Sequence, residues 1–232
     1  MATQTAQLLD NVGWHAIAGP QSHLAQRNGL AGRYDLDVAP FSAIADPASD
    51  EAWSDLAALA GPAHPAVLFA PGLEARPGWD VVTQFQCLQM IAGDIAGPPD
   101  DLELVDLTTG DVPEMLALVK ATRPGPFGER TIEMGRYLGH RVDGRLVALA
   151  GERMRCPGFT EVSAVCTDEA FRGRGLGGAL TLAVAKNIRE RDDEAFLHVA
   201  EENVTARRLY LELGFTVRRD DIDVLILRRR GT

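Results

Sequence analysis

The 232-residue chain is 46% hydrophobic and 24% charged, with 23 Lys and Arg against 33 Asp and Glu and a formal charge of −10. Length and composition are those of globular material, and an acidic chain gains nothing from counterion release on nucleic acid, which excludes that partner class. Cys87, Cys156 and Cys166 have no CxxC spacing, no apolar run approaches the roughly 20 residues of a membrane helix, and the start MATQTAQLLDNVGW lacks a basic region and an apolar signal core; a reduced, cytoplasmic protein off the membrane is expected.

In chain order, residues 10–18 read as a short helix before the turn-rich Gly19-Pro20-Gln21-Ser22. Residues 29–34 and 41–45 read as strands, and 50–60 as a helix with Trp53, Leu56, Ala57 and Ala60 on one face, stopped by Gly61-Pro62. Residues 66–70 and 79–91 read as strands, the second alternating through its glutamines. The stretch 92–101, AGDIAGPPDD, is the clearest linker, and divides the chain into an N-terminal α+β domain (1–96), a connection (97–101) and a second domain (102–232). Beyond it, 102–107 is a strand, and Asp111, Pro113 and Glu114 start a helix running to about residue 121. After the loop RPGPFGER, strands 137–142 and 145–154 pair across Asp143-Gly144. A strand at 159–167, an amphipathic helix at 175–191, a strand at 195–200, a helix at 204–213 closed by Gly214 and a strand at 221–229 complete the pattern, without internal repeats.

The chemistry-bearing stretch is Phe171-Arg-Gly-Arg-Gly-Leu-Gly-Gly178, between a strand and an amphipathic helix. Glycines there let the backbone turn tightly with several N–H groups pointing outward, and the helix dipole adds to them, making a diphosphate site flanked by Arg172 and Arg174. Gly173, Gly175 and Gly178 also satisfy the dinucleotide fingerprint GxGxxG, but that motif starts where its strand ends, whereas Asp168 to Phe171 intervene here, and only 54 residues follow Gly178. The Gly-Lys-Ser/Thr of a Walker loop is absent.

Arg172-Gly-Arg-Gly175-Leu-Gly177 resembles the Arg/Gln-x-x-Gly-x-Gly/Ala signature of the GNAT superfamily of N-acetyltransferases, and Asn203-Val-Thr-Ala206-Arg-Arg-Leu-Tyr210-Leu-Glu-Leu-Gly214-Phe215 resembles its second signature. The resemblance covers about residues 102–229 and departs in one place, where the proline common before the first arginine is replaced in Thr167-Asp-Glu-Ala-Phe171. It implies a GNAT fold, of α/β (α+β) class: a mixed, mostly antiparallel central sheet with helices on both faces, here preceded by a smaller α+β domain. It also implies acetyl-coenzyme A as co-substrate and transfer of its acyl group to a primary amine in a ternary complex. Main-chain groups of Val165, Cys166 and Thr167 would bind the pantetheine; Arg172, Gly173, Arg174, Gly175, Leu176, Gly177 and Gly178 the diphosphate; and Asn203 and Tyr210 the pantetheine arm and the sulfur.

On this reading Tyr210 is the acid for the departing thiolate, and Glu161, four residues before Val165, the base, alternation placing Glu161, Ser163, Val165 and Thr167 on one face. Glu152 is a second choice, as base or as anchor for the amine. His15, His23, His64, His140 and His198 have no ligand spacing, so no metal is expected. The N-terminal half resembles the degenerate first half of two-domain members related to the glycine acyltransferases, and is expected to be non-catalytic and to shape the acceptor cleft together with residues 123–136. A small-molecule or peptide amine is the expected partner, with a homodimer left open. A reading from another class is a non-catalytic acyl-CoA sensor.

Overall fold

The structure, a computed structural model, describes residues 7–60, 64–99 and 102–230. Gly61, Pro62 and the last two residues of the expected linker, Asp100 and Asp101, lie outside them. A small antiparallel sheet is built from β1 (Ala25–Asn28), β2 (Ala31–Tyr34) and β3 (Ser42–Ile44). The main sheet has eight strands: β4 (Ala66–Pro71), β5 (Trp79–Ala92), β6 (Val105–Leu107), β7 (Tyr137–Val142), β8 (Arg145–Cys156), β9 (Phe159–Thr167), β10 (Glu194–Ala200) and β11 (Phe215–Arg229). They lie in the order β4-β11-β5-β10-β9-β8-β7-β6, antiparallel throughout except for the parallel pair β9–β10.

The helices are α1 (Val12–Ile17), α2 (Asp50–Ala60), α3 (Val112–Thr122), α4 (Leu176–Arg189) and α5 (Val204–Glu212). On one face of the sheet, α4 buries Leu176, Leu180, Ala183, Val184 and Ile188 against Met90, Val147, Val162 and Leu197. On the opposite face, α1 packs on Met154, Phe159 and Phe196, and α3 on Tyr137, Leu149 and Cys166. Each fully buried Leu, Ile or Val contributes about 1.5–3 kcal/mol, so a two-faced sheet is stable only when helices cover both sides. The expected mixed, mostly antiparallel sheet with helices on both faces is the architecture found.

The expected separation of residues 1–96 from 102–232 is not a separation in space. β5 lies between β10 and β11, pairing with both, and β4 edges the sheet beyond β11. Residues 97–99 carry no regular structure, but that does not divide the sheet, because hydrogen-bonded pairing needs strand edges to meet, not to be close in sequence. The hairpin turn at Asp143-Gly144 has the positive φ at both positions that its residues suggested (51° and 79°). β1 was not expected: AQRN is polar and mostly exposed, and it exists because it pairs with β2.

Candidate active site

β9 and β10 pair over three residues, Phe159 to Glu161 against Glu194 to Phe196, and then part. β10 continues beside β5 to Ala200, while β9 stays with β8 to Thr167, so a wedge opens between them. At Ala164 the backbone is left-handed (φ 55°), and the register with β8 shifts between Leu149 and Gly151, the mark of a β-bulge. The extra residue overturns the expected alternation. Val162 and Val165 both join the core beneath α4, whereas Ala164 and Cys166 pack toward α3, so Glu161 and Val165 do not share a face.

Beyond Thr167, Asp168 caps a short turn by accepting from the Ala170 N–H (3.0 Å), which sets the loop entry where the proline is missing. Gly173 and Gly175 both have φ 76°, a conformation that costs an L-residue roughly 1–2 kcal/mol. A Cβ at either would meet nothing within 4 Å, so the loop is open to approach as well as tightly turned. Gly178 serves packing instead: its face lies against Leu209 and Leu213, bringing α5 close to α4. The first N–H groups of α4, from Leu176 to Gly178, have no partner within their own helix. Arg174 stacks on Phe171, its Cζ 4.8 Å from the ring centre, and Arg172 Nε donates to the Thr167 carbonyl (3.4 Å).

The wedge leads into a cleft of about 980 Å3 lined by Ser163, Ala164, Val165, Asn203, Ala206 and Tyr210 on the side of the splayed strands. Asn203 caps α5, its Oδ1 accepting from the Ala206 N–H (3.1 Å). Tyr210 is buried against Phe215, and that burial pushes its hydroxyl up to about 12. Cys166 faces away beneath α3, with its thiol raised to about 11 by burial, and can offer the cleft only its main chain. Opposite the wedge, Phe41, Val67, Phe69 and Phe85 from the N-terminal half line the cleft with Arg123 to Pro126 from the loop after α3.

Neither expected carboxylate reaches the cleft. Glu161 is 0% exposed; its Oε2 accepts from Arg153 Nε (2.8 Å), and its Oε1 from Arg153 Nη2 (2.6 Å) and His198 Nδ1 (2.7 Å). Burial alone would raise its pKa, but the Arg153 charge and hydrogen bonds, with the His198 hydrogen bond, outweigh it and hold the carboxyl at about 2. Such a carboxylate is a spent acceptor, not a base. Glu152 is also buried, accepts from Arg191 Nη2 (2.9 Å) beneath Gly135, and lies outside the cleft lining. Among the described residues no cluster of His, Cys, Asp and Glu is placed to hold a metal, and no helix is long and apolar enough to cross a membrane.

The FR47-like family model matches residues 137–224, the span from β7 into β11 that holds the wedge, the glycine loop and Tyr210. A solved structure of a GNAT-family acetyltransferase from Novosphingobium aromaticivorans is 39% identical, covers 96% of this chain and 99% of its own, and superposes with a TM-score of 0.87. The chain belongs to the GNAT family. A mycothiol acetyltransferase of Mycolicibacterium vanbaalenii is 31% identical over 138 residues, 55% of this chain and 46% of that protein, so the match spans about half the length of this curated relative. A GCN5-related N-acetyltransferase from Kribbella flavida, 20% identical over 100% of this chain and 95% of its own with a TM-score of 0.60, shares the fold.

Two cleft residues of this GNAT protein have a place that its sequence did not suggest, Arg153 passed over and His198 weighed only as a metal ligand. Arg153 on β8 and His198 on β10 line the cleft in front of Glu161. They belong to a buried polar chain. Arg218 Nη1 donates to Gln89 Oε1 (2.7 Å), which turns the Gln89 amide nitrogen toward the Leu9 carbonyl (2.9 Å) and His198 Nε2 (3.1 Å). His198 Nε2 is then the acceptor, and the ring proton sits on Nδ1 facing Glu161. The partners come from five separate strands and a turn, so no spacing in the sequence announces them; the nearest signal is Gln89, a polar residue inside the apolar run of β5.

Proposed function

We propose that the protein transfers an acyl group, acetyl in the first instance, from acetyl-coenzyme A to a primary amine held in the cleft, by direct attack within a ternary complex. The observation that carries this reading is a single strand with two breaks: β9 leaves β10 after Glu161, bulges at Ala164, and runs on into a loop whose left-handed glycines open α4. A free strand edge beside unpartnered helix N–H groups suits a ligand with an amide-bearing arm and a diphosphate. The relatives named as acetyltransferases support acetyl as the transferred group.

On this reading main-chain groups of Val165, Cys166 and Thr167 bond the pantetheine amides, with an N–H near Val165 polarising the thioester carbonyl. The Gly173–Gly178 turn cradles the diphosphate, with Arg172 and Arg174 supplying positive charge. Asn203 holds the arm at the start of α5. The Tyr210 hydroxyl, protonated at neutral pH, gives its proton to the departing sulfur and recovers one from the amine nitrogen that has attacked. The amine needs no strong base, because the apolar cleft disfavours its charged form.

Calorimetry with acetyl-CoA is expected to give one-to-one binding, and a thiol-release assay with an amine panel to give turnover; no binding of acetyl-CoA would refute the proposal. The closure of Glu161 by Arg153 favours one second reading, an acyl-CoA sensor, which tight binding without thiol release on any amine would select.

A further inference from the structure

The part of the cleft beyond the wedge has a floor made by three neighbouring strands. In the register of β4, β11 and β5, Phe69, Val224 and Phe85 form one row across the sheet, and Val67, Ile226 and Thr83 the next. Phe41 rises beside this floor, edge-on to Phe69 at 5.6 Å, and the Arg153 guanidinium lies 4.8 Å above the Phe41 ring. Phe85, at the open end, is 41% exposed although it stands in an apolar row. An aromatic left uncovered on a concave surface marks a place that something apolar covers.

The charges point the same way. Among the described residues lining the cleft, the carboxylate is Glu202, exposed at the rim where α5 begins. Glu161 is committed to Arg153 and His198, so the deep part presents Arg153 and, at the mouth, Arg123. An ammonium entering here finds no free carboxylate at depth, because the Arg153–Glu161 pair is closed on itself, and it passes Arg123 at the mouth, so a polycation gains no partner and a single amine is favoured in the neutral form that attack requires. A sugar amine would leave its hydroxyls against Phe and Val side chains without partners.

Resting on acetyl transfer as the activity, we infer that the acceptor is a small primary amine with an apolar ring or branched body lying on the Phe69–Val224–Phe85 floor. Each methylene of such a body that leaves water is worth about fourfold in binding.

The test is kcat/KM by thiol release at saturating acetyl-CoA for phenethylamine, isoamylamine, ethylamine, glucosamine, spermidine and kanamycin, with calorimetry of the same amines on coenzyme-loaded protein. Phenethylamine and isoamylamine are expected at least tenfold above ethylamine in kcat/KM and to bind, with glucosamine and the polycations below ethylamine. Phe85→Ala, at an exposed position that leaves the packed core intact, should cost phenethylamine about tenfold and ethylamine much less. Glucosamine or spermidine as best acceptor, no binding of the apolar amines, or an equal Phe85→Ala loss for both amines overturns the inference. Acetyl-CoA binding with turnover confined to polar amines sinks this inference alone; failure to bind acetyl-CoA sinks the activity beneath it.

Discussion

Glu161→Gln removes one charge from a pair that is almost wholly out of water and strands the other. The Arg153 side chain is 15% exposed and the Glu161 side chain 0%, so the guanidinium, covered by the Phe41 ring on one side, keeps only the hydration its cleft edge allows. Breaking a buried pair from one side costs about 3–5 kcal/mol. The carboxyl pKa leads to a similar figure, since a fall from 4.5 to about 2 on folding corresponds to about 3 kcal/mol. At this chain length that is roughly 6–20 °C in melting temperature. Because the folded pKa is depressed, the contribution is complete above pH 4.5 and is lost as pH falls toward 2. Thermal and urea unfolding of parent and variant at pH 7 and pH 3 measures this, and the gap between them should narrow at pH 3. Adding Arg153→Met removes the stranded charge while the glutamine still accepts from His198 Nδ1, and is expected to recover most of the loss. A Glu161→Gln protein within 1 kcal/mol of the parent at pH 7 would refute the reasoning. A variant that is as stable as the parent yet about 100-fold slower would return Glu161 to the role of base.

Gly175→Glu places a side chain at φ 76° and a negative charge in the proposed diphosphate cradle; at least a tenfold loss of acetyl-CoA affinity by calorimetry is expected, with a fall in melting temperature of about 2–8 °C from the backbone strain. Tyr210→Phe should leave that affinity within twofold and lower kcat by about 100-fold or more, and equal turnover would remove Tyr210 as the acid. Gly151→Ala drives a Cβ into the Tyr137 ring in a fully buried layer, and should cost about 1–3 kcal/mol in urea unfolding.

The C-terminal elements were readable because their signals are local. Asp143-Gly144, the glycines after Phe171, the Asn203 cap and the Gly214 stop each act within one turn of the chain. What escaped is non-local or silent. Alanine does not announce a left-handed backbone, so the bulge at Ala164, and with it the reversal of side chains beyond Ser163, was invisible. Glu161 stands four residues before Val165, as the resemblance expected, but the arginine that closes it comes from the neighbouring strand, where burial and pairing decide its partner. The division at residues 97–101 failed for the same reason. A composition shift reports a change in residue preference, not whether strands on either side share a sheet.

The seat of β5 also sets an order of events. Residues 79–92 leave the ribosome well before either neighbour, 194–200 or 215–229, exists to pair with them. At about 5–20 residues per second the wait until residue 194, where the first neighbour begins, is roughly 5–20 s. Throughout it the uncharged run from Val81 to Ile91 has both edges bare, the condition in which strands recruit other chains. Temporary shelter of that run during synthesis, by the early helices or a chaperone, is therefore as much a requirement of this topology as the packing of the finished sheet.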